Sequence, residues 1–173
     1  SLGSGSVGEY AVANAAGTFR KQGRRLDLSN VGVTLSGQRL SVNGAVTLAA
    51  NGTAPQLNLQ IASGGMSTTV FNPNSALRGN IAFQTTVTGT PDNNQARGNF
   101  QIASGALGEL AFSGASGGFS YAGGVLTLVG GRAQCLGGTI TLNGTVVPKT
   151  MEYHQQVNGQ NIDAAQLTDR DVQ

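Results

Sequence analysis

The stretch Phe119-Ser-Tyr-Ala-Gly-Gly-Val-Leu-Thr-Leu128, continued by Ala133-Gln-Cys-Leu-Gly-Gly-Thr-Ile-Thr-Leu-Asn-Gly-Thr-Val146, decides the fold class of this chain. Leu126 and Leu128 are spaced by two, as are Ile140 and Leu142, with Thr between the members of each pair. Spacing by two sends the apolar residues to one face of a strand and the polar ones to the other. The same alternation marks Val31, Val33 and Leu35, Leu40 with Val42, Val46 with Leu48, and Leu57, Leu59 and Ile61. It returns at Ile81 with Phe83 and at Phe100 with Ile102. Gly-Gly, Asn-Gly and Ser-Gly pairs punctuate these runs and read as hairpin turns, which need positive φ. Only Asp163 to Asp169 has helix-like composition, with Asp163 as its N-cap. The expectation is an all-β chain: an extended, curved antiparallel sheet, an open half-barrel or groove, ending in a short C-terminal helix.

A longer period overlies the alternation. Phe19 and Phe119 lie 100 residues apart, and so do Leu26 and Leu126, Leu28 and Leu128, and Gly37 and Gly137. Leu40 and Ile140, Val42 and Leu142, Asn43 and Asn143, Gly44 and Gly144, and Val46 and Val146 follow at the same offset. Blocks 17–48 and 117–148 thus align without a gap, and their Asn43 and Asn143 are expected at matching turns. A shorter echo relates Leu59-Gln-Ile-Ala-Ser-Gly-Gly65 to Phe100-Gln-Ile-Ala-Ser-Gly-Ala106. A β-helix would repeat every 20 to 25 residues or so, one rung per turn. A unit of about 100 residues with five or six strands instead fits a sheet that grows by addition of antiparallel strands. The organisation expected is a linker and first strand over 1–16, a repeated sheet domain over 17–162, and a helix or tail over 163–173.

Composition agrees. Charged residues make up 10% of the 173, against about 25% in an ordinary soluble domain. Gly contributes 27 residues and Trp none. Ser, Thr, Asn, Gln and Gly stand where Lys, Glu and Arg would otherwise build helices, a composition that suits exposed or secreted β-structure. The net charge of +2 includes a cluster of Arg20, Lys21, Arg24 and Arg25. Such a cluster could meet phosphate, but it lacks interleaved aromatics and reads as a solvated hairpin tip, so no nucleic-acid partner is expected. No run approaches 18 apolar residues, so no helical bilayer span is expected.

Catalytic and metal chemistry find no constellation in the sequence. His154 is the single histidine and no Gly-x-Ser-x-Gly elbow accompanies it. Cys135 is the single cysteine, which excludes an intrachain disulfide and reads as a small strand hydrophobe. Asp163, Asp169 and Asp171 are the one close carboxylate set and read as a solvated helix end; Asp92 reads as turn chemistry. Asn51-Gly-Thr53 and Asn143-Gly-Thr145 match the glycosylation pattern only. No enzyme activity, cofactor or metal site is expected.

Phe119 to Leu128 and Ala133 to Val146 resemble a phrase of the AsmA/TamB-like bacterial envelope superfamily: aromatic, Gly-x-Leu-x-Leu, then Gly-Gly-x-hydrophobic and Gly-x-hydrophobic. Tyr153-His-Gln-Gln-Val-Asn-Gly-Gln-Asn-Ile-Asp-Ala-Ala-Gln-Leu167 is similar to that family's continuation into a short helix. Block 17–48 carries the phrase more loosely, and the similar segments cover roughly half the chain. The resemblance implies one section of a periplasmic β-groove, belonging to a longer protein anchored in the inner membrane. Such grooves are thought to carry phospholipid between membranes or to support outer-membrane assembly. The expected partners are phospholipid, neighbouring β-segments of the full-length protein and other envelope proteins. The groove lining expected here is Leu40, Val42, Val46, Leu126, Leu128, Ile140, Leu142 and Val146. The rival is a structural or adhesive module, such as a secreted β-solenoid segment, which would pair residues about 20 apart in parallel.

Overall fold

The structure is a computed structural model that describes residues 5–7, 10–50, 52–70, 76–150, 152–163 and 165. Its strands are β1 (Gly5–Val7), β2 (Tyr10–Gln22), β3 (Arg25–Leu35), β4 (Gln38–Thr47), β5 (Gln56–Ser67), β6 (Leu77–Gly89), β7 (Asn94–Leu107), β8 (Leu110–Ala122), β9 (Val125–Cys135), β10 (Gly138–Val147) and β11 (Glu152–Gln160). A 3-10 turn, Thr68–Val70, follows β5. The strands form one open antiparallel sheet in which spatial order is sequence order. Chain neighbours are therefore neighbours in the sheet, and several are joined by two-residue loops, which antiparallel pairing allows.

Those loops have the backbone their residues permit. Ser36–Gly37, Gly123–Gly124 and Leu136–Gly137 all have positive φ at both positions, the pattern of a type I′ turn, whose twist matches that of the flanking strands. Gly23 and Gly108 carry positive φ at the first loop position alone, as a type II′ turn requires.

The chain divides into two compact units, one of Ser1–Met66, Ala82–Gly98 and Ser120–Gly123, the other of Ser67–Ile81, Asn99–Phe119 and Gly124–Gln173. In the first, β3 pairs with β4 through Leu26↔Val46, Leu28↔Gly44, Val31↔Val42 and Leu35↔Gln38. In the second, β9 pairs with β10 through Leu126↔Val146, Leu128↔Gly144, Gly131↔Leu142 and Cys135↔Gly138. Each of these registers is the same after adding 100, and so are the bounds of β2 and β8, β3 and β9, and β4 and β10. Positive φ recurs in step: Asn14 with Gly114, Asn30 with Gly130, Ser36 with Leu136. The period spans six strands. It ends at the connections, 48–55 in one copy and 148–151 in the other. Thereafter Gly44 faces Leu59 while Gly144 faces Gln155.

Asn43-Gly44 and Asn143-Gly144 are not turns, contrary to their sequence reading. Both sit inside strands, opposite a β-bulge. From Leu28 to Val31 the chain advances three residues while its partner advances two, so one residue is extra and the local ladder is interrupted. Asn30, in the left-handed region at φ 51°, donates its N–H to Asn43 Oδ1 at 2.7 Å. Gly130, at φ 61°, donates its N–H to Asn143 Oδ1 at the same 2.7 Å. The asparagine thus satisfies a donor that the ladder leaves unpaired. The glycine after it lets the neighbouring backbone close in: a Cβ on Gly44 would stand 2.1 Å from the Asn58 carbonyl oxygen.

Other glycine pairs read as turns also lie within strands. Ser63-Gly64-Gly65 is in β5, Ser104-Gly105 in β7, Ser116-Gly117-Gly118 in β8 and Gly130-Gly131 in β9. In the second unit, Gly117 is covered by the Phe100 ring, and Gly105 by the Phe112 ring. A ring beside a cross-strand glycine covers backbone that no side chain of its own would shield. The helix expected over 163–173 falls, apart from Asp163 and Ala165, outside the described residues. Asp163 Oδ1 does accept the Ala165 N–H at 3.1 Å, a bond of N-cap type.

Candidate functional site

Register assigns the faces. Residues directly opposite one another in an antiparallel pair point to the same side. In the first unit, Leu40, Val42 and Val46 therefore share a face with Leu26, Leu28, Val31 and Val33 of β3 and with Leu57, Leu59 and Ile61 of β5. The bulge makes this possible. The apolar positions of β3 change phase between Leu28 and Val31, and the extra residue brings both runs to one side. In the second unit, Ile140, Leu142 and Val146 share a face with Leu126 and Leu128. Tyr153 and Val157 of β11, opposite Val146 and Leu142, extend that face.

All eight expected lining residues are half-buried. Buried apolar side chains are few among the described residues: Ala15, Val31, Ala45, Met66, Ile102 and Cys135. Tyr153 and Val157 are 68% and 57% exposed. An apolar sheet face ordinarily disappears beneath a second layer; the faces of both units keep partial contact with solvent. On the opposite face the first unit exposes Arg39, Ser41 and Thr47, whereas Thr127, Thr141 and Thr145 of the second are half-buried. Chemistry rather than depth distinguishes the two faces of the second unit.

Sequence reading omitted Leu26, Leu28, Val31 and Val33 of β3 and Leu57, Leu59 and Ile61 of β5 from the lining. Period two groups each run within its own strand, and it is the register that places them with Val42. Sequence reading also omitted Tyr153 and Val157, whose even spacing was the available signal.

The remaining candidates are placed as follows. Arg20, Lys21, Arg24 and Arg25 do sit at the β2–β3 hairpin tip. Arg24 donates through Nε and Nη2 to the Leu48 carbonyl at 3.1 and 2.8 Å, and Arg25 Nε lies 2.7 Å from Asp27 Oδ1. Two of the four cations are thus engaged within the protein. Cys135 is buried, and its thiol donates to the Ala111 carbonyl at 3.4 Å. Cys135 pairs with Gly138 and His154 with Thr145, so at about 3.3 Å per residue roughly 23 Å of strand separates them. They do not form a thiolate–imidazole pair. Among the described residues no three His, Cys, Asp or Glu side chains gather as a metal site; Asp169, Asp171 and Asn51 lie outside those residues. Asp92 occupies the β6–β7 loop, closed by mutual backbone bonds between Thr90 and Asn93 at 3.2 Å.

Two shallow depressions lie in the second unit. One of about 300 Å³ is bordered by Ser67, Thr69, Arg78, Asn80 and Ser104. Another of about 450 Å³ is bordered by Phe112, Gln134 and Cys135. Neither brings an acid–base pair or an activated nucleophile together. The surface that distinguishes this molecule is the half-buried apolar face of its repeated strands. Comparison with family models, curated proteins and solved structures returns no match for this chain.

Proposed function

We propose that this chain is a non-enzymatic section of a periplasmic groove that shields phospholipid acyl chains, serving lipid transport or outer-membrane assembly within a longer, inner-membrane-anchored protein. The observation that carries the reading is the pair of apolar faces with no layer of described residues fully covering them. Full burial of a Val or Leu side chain contributes about 1.5–3 kcal/mol, and a half-buried one leaves a good part of that unclaimed. An acyl chain laid along Leu40, Val42, Val46, Leu57 and Leu59 would claim it. It would also remove its own methylenes from water at about 0.8 kcal/mol each. Leu126, Leu128, Ile140, Leu142 and Val146 offer the same surface in the second unit. The sequence resemblance to AsmA/TamB-like proteins points to the same class of ligand and to the envelope.

The β-solenoid form of a structural module is the weaker reading. It needs parallel pairing between residues about 20 apart, whereas every register described here joins antiparallel neighbours.

Photoreactive residues at Val42 and Leu142 test the proposal in cells, with Ser41 and Thr141 as controls from the opposite face. Phospholipid captured from the first pair and not the second is the expected result. Equal capture from both pairs, or protein captured in place of lipid, would refute the assignment. Native mass spectrometry after mild purification supplies the independent readout of co-purified phospholipid.

A further inference from the structure

We infer that the outer edge of β11 is a pairing surface for the β11 strand of a second copy of this chain, joined across a two-fold axis. Among the described residues β11 has one neighbour in the sheet, β10, and all nine of its residues are exposed. Edge strands are ordinarily blunted by shortness, lysine, proline or a bulge. β11 has none of these: its register on β10 runs from Gln160 to Glu152 without a shift, and Glu152 is its single carboxylate. The other edge, β1, is three residues long and offers a poor match in length. A second β11 is of equal length and can pair with it over residues 152–158.

The geometry also fixes which groups face outward. A Cβ on Gly144 would meet the His154 carbonyl oxygen, and one on Gly138 the Gln160 carbonyl oxygen. Thr141 Oγ1 donates to the Asn158 carbonyl. The even-numbered residues of β11 thus direct their backbone groups at β10. In a strand the odd ones, Tyr153, Gln155, Val157 and Gly159, direct theirs to the open edge. A two-fold axis at Gln155 sets Gln155 opposite its own copy and Tyr153 opposite Val157 of the other copy. All three resulting pairs are of the hydrogen-bonded kind, about two N–H···O bonds each. The aromatic–β-branched pairing is a favourable one, and Glu152 falls opposite Asn158 rather than another acid. The exposed Tyr153 and Val157 side chains would each gain an apolar neighbour.

Sedimentation velocity of the full chain tests this inference. The expected species has twice the 17.5 kDa chain mass and dissociates on dilution. Val157→Pro removes an outward N–H and leaves the bonds to β10 intact, a placement proline tolerates on edge strands. It should yield a monomer with an unchanged far-UV circular dichroism spectrum. Should that variant unfold, charge at the axis replaces it as the test. Gln155→Lys and Gln155→Glu should each be at least tenfold weaker in self-association, and their mixture should regain the dimer. A wild-type chain that stays monomeric at 100-fold dilution steps up to its solubility limit overturns the inference. So does a dimer indifferent to all three substitutions.

Discussion

Replacing Gly44 by alanine puts a number on the idea that the Asn-Gly dipeptide serves the sheet interior rather than a turn. The new Cβ would lie 2.1 Å from the Asn58 carbonyl oxygen and 3.0 Å from Leu59 Cα, both backbone atoms of β5. The residue would also have to keep φ near 126°. Strain at such a φ costs on the order of 1–3 kcal/mol, and overpacking a similar amount. Together they give roughly 2–6 kcal/mol, a large share of a stability of about 5–15 kcal/mol. Two controls separate the terms. Gly37→Ala keeps a positive φ of 80° with nothing within 4 Å of the new Cβ, so it isolates the backbone penalty of about 1–2 kcal/mol. Gly64→Ala meets nothing within 4 Å and has no positive φ, so it should be neutral or stabilise by about 0.4–1 kcal/mol. Urea unfolding of the full chain, followed by far-UV circular dichroism, reads the series. With an m-value of about 2 kcal/mol/M, a 3 kcal/mol loss at Gly44 moves the midpoint down by roughly 1.5 M. A Gly44→Ala midpoint no lower than that of Gly37→Ala would refute the reasoning, because the close approach of β4 to β5 would then carry no cost.

Asn43→Ala and Asn143→Ala should each lose about 1 kcal/mol, while Asp at either position keeps the acceptor. Hydrogen exchange at the Gly130 amide should accelerate in Asn143→Ala and stay slow in Asn143→Asp. Gly117→Ala should clash with the Phe100 ring 3.0 Å away, and Phe100→Leu in the same chain should recover part of the loss. A coupling of at least about 0.5 kcal/mol in the double-mutant cycle is expected from unfolding curves. Val42→Arg should be tolerated within about 1–2 kcal/mol, because the guanidinium can reach water along its own stem from a half-buried position. Val31→Arg, at a site 3% exposed, should cost several kcal/mol more by leaving an unpaired buried charge; thermal unfolding of the pair decides it. Cys135, at 5% exposure, should react with a thiol reagent at the rate of unfolding rather than at that of a free thiol, as a titration across urea would reveal.

The alternation of Leu, Val and Ile was sufficient to read strands, because period two has no other common cause. The offset of 100 was sufficient to read matching hairpins, and the two copies share register to the residue. What misled was glycine. In Asn43-Gly44 the sequence offers a preferred hairpin dipeptide, yet the requirement comes from a bulge on the facing strand, which local pattern does not specify. The clue was nonetheless present: Leu26 and Leu28 are even, whereas Val31, Val33 and Leu35 are odd. A strand that keeps one apolar face across such a phase change must carry an extra residue. Gly105 and Gly117 were opaque for a different reason, since the rings that cover them come from neighbouring strands. For the candidate lining, periodicity grouped residues within each strand, whereas which strands' runs share a face came only from register. The lining's extension onto Tyr153 and Val157 was harder to see amid the polar residues of β11.

The six-strand length of the repeat carries a consequence for how such a chain can be lengthened or shortened. Direction reverses at each hairpin, so a copied segment of even strand number begins pointing the way its parent did. A segment of odd number would begin reversed. A chiral unit laid beside its parent in reversed direction must also be turned over, which exchanges front and back. Its leucines would then emerge among the threonines. Gene duplication can therefore extend this sheet in whole hairpins and in no smaller step. By the same logic, excising the β3–β4 hairpin should leave everything downstream facing as before, whereas excising β4 alone would invert every strand that follows.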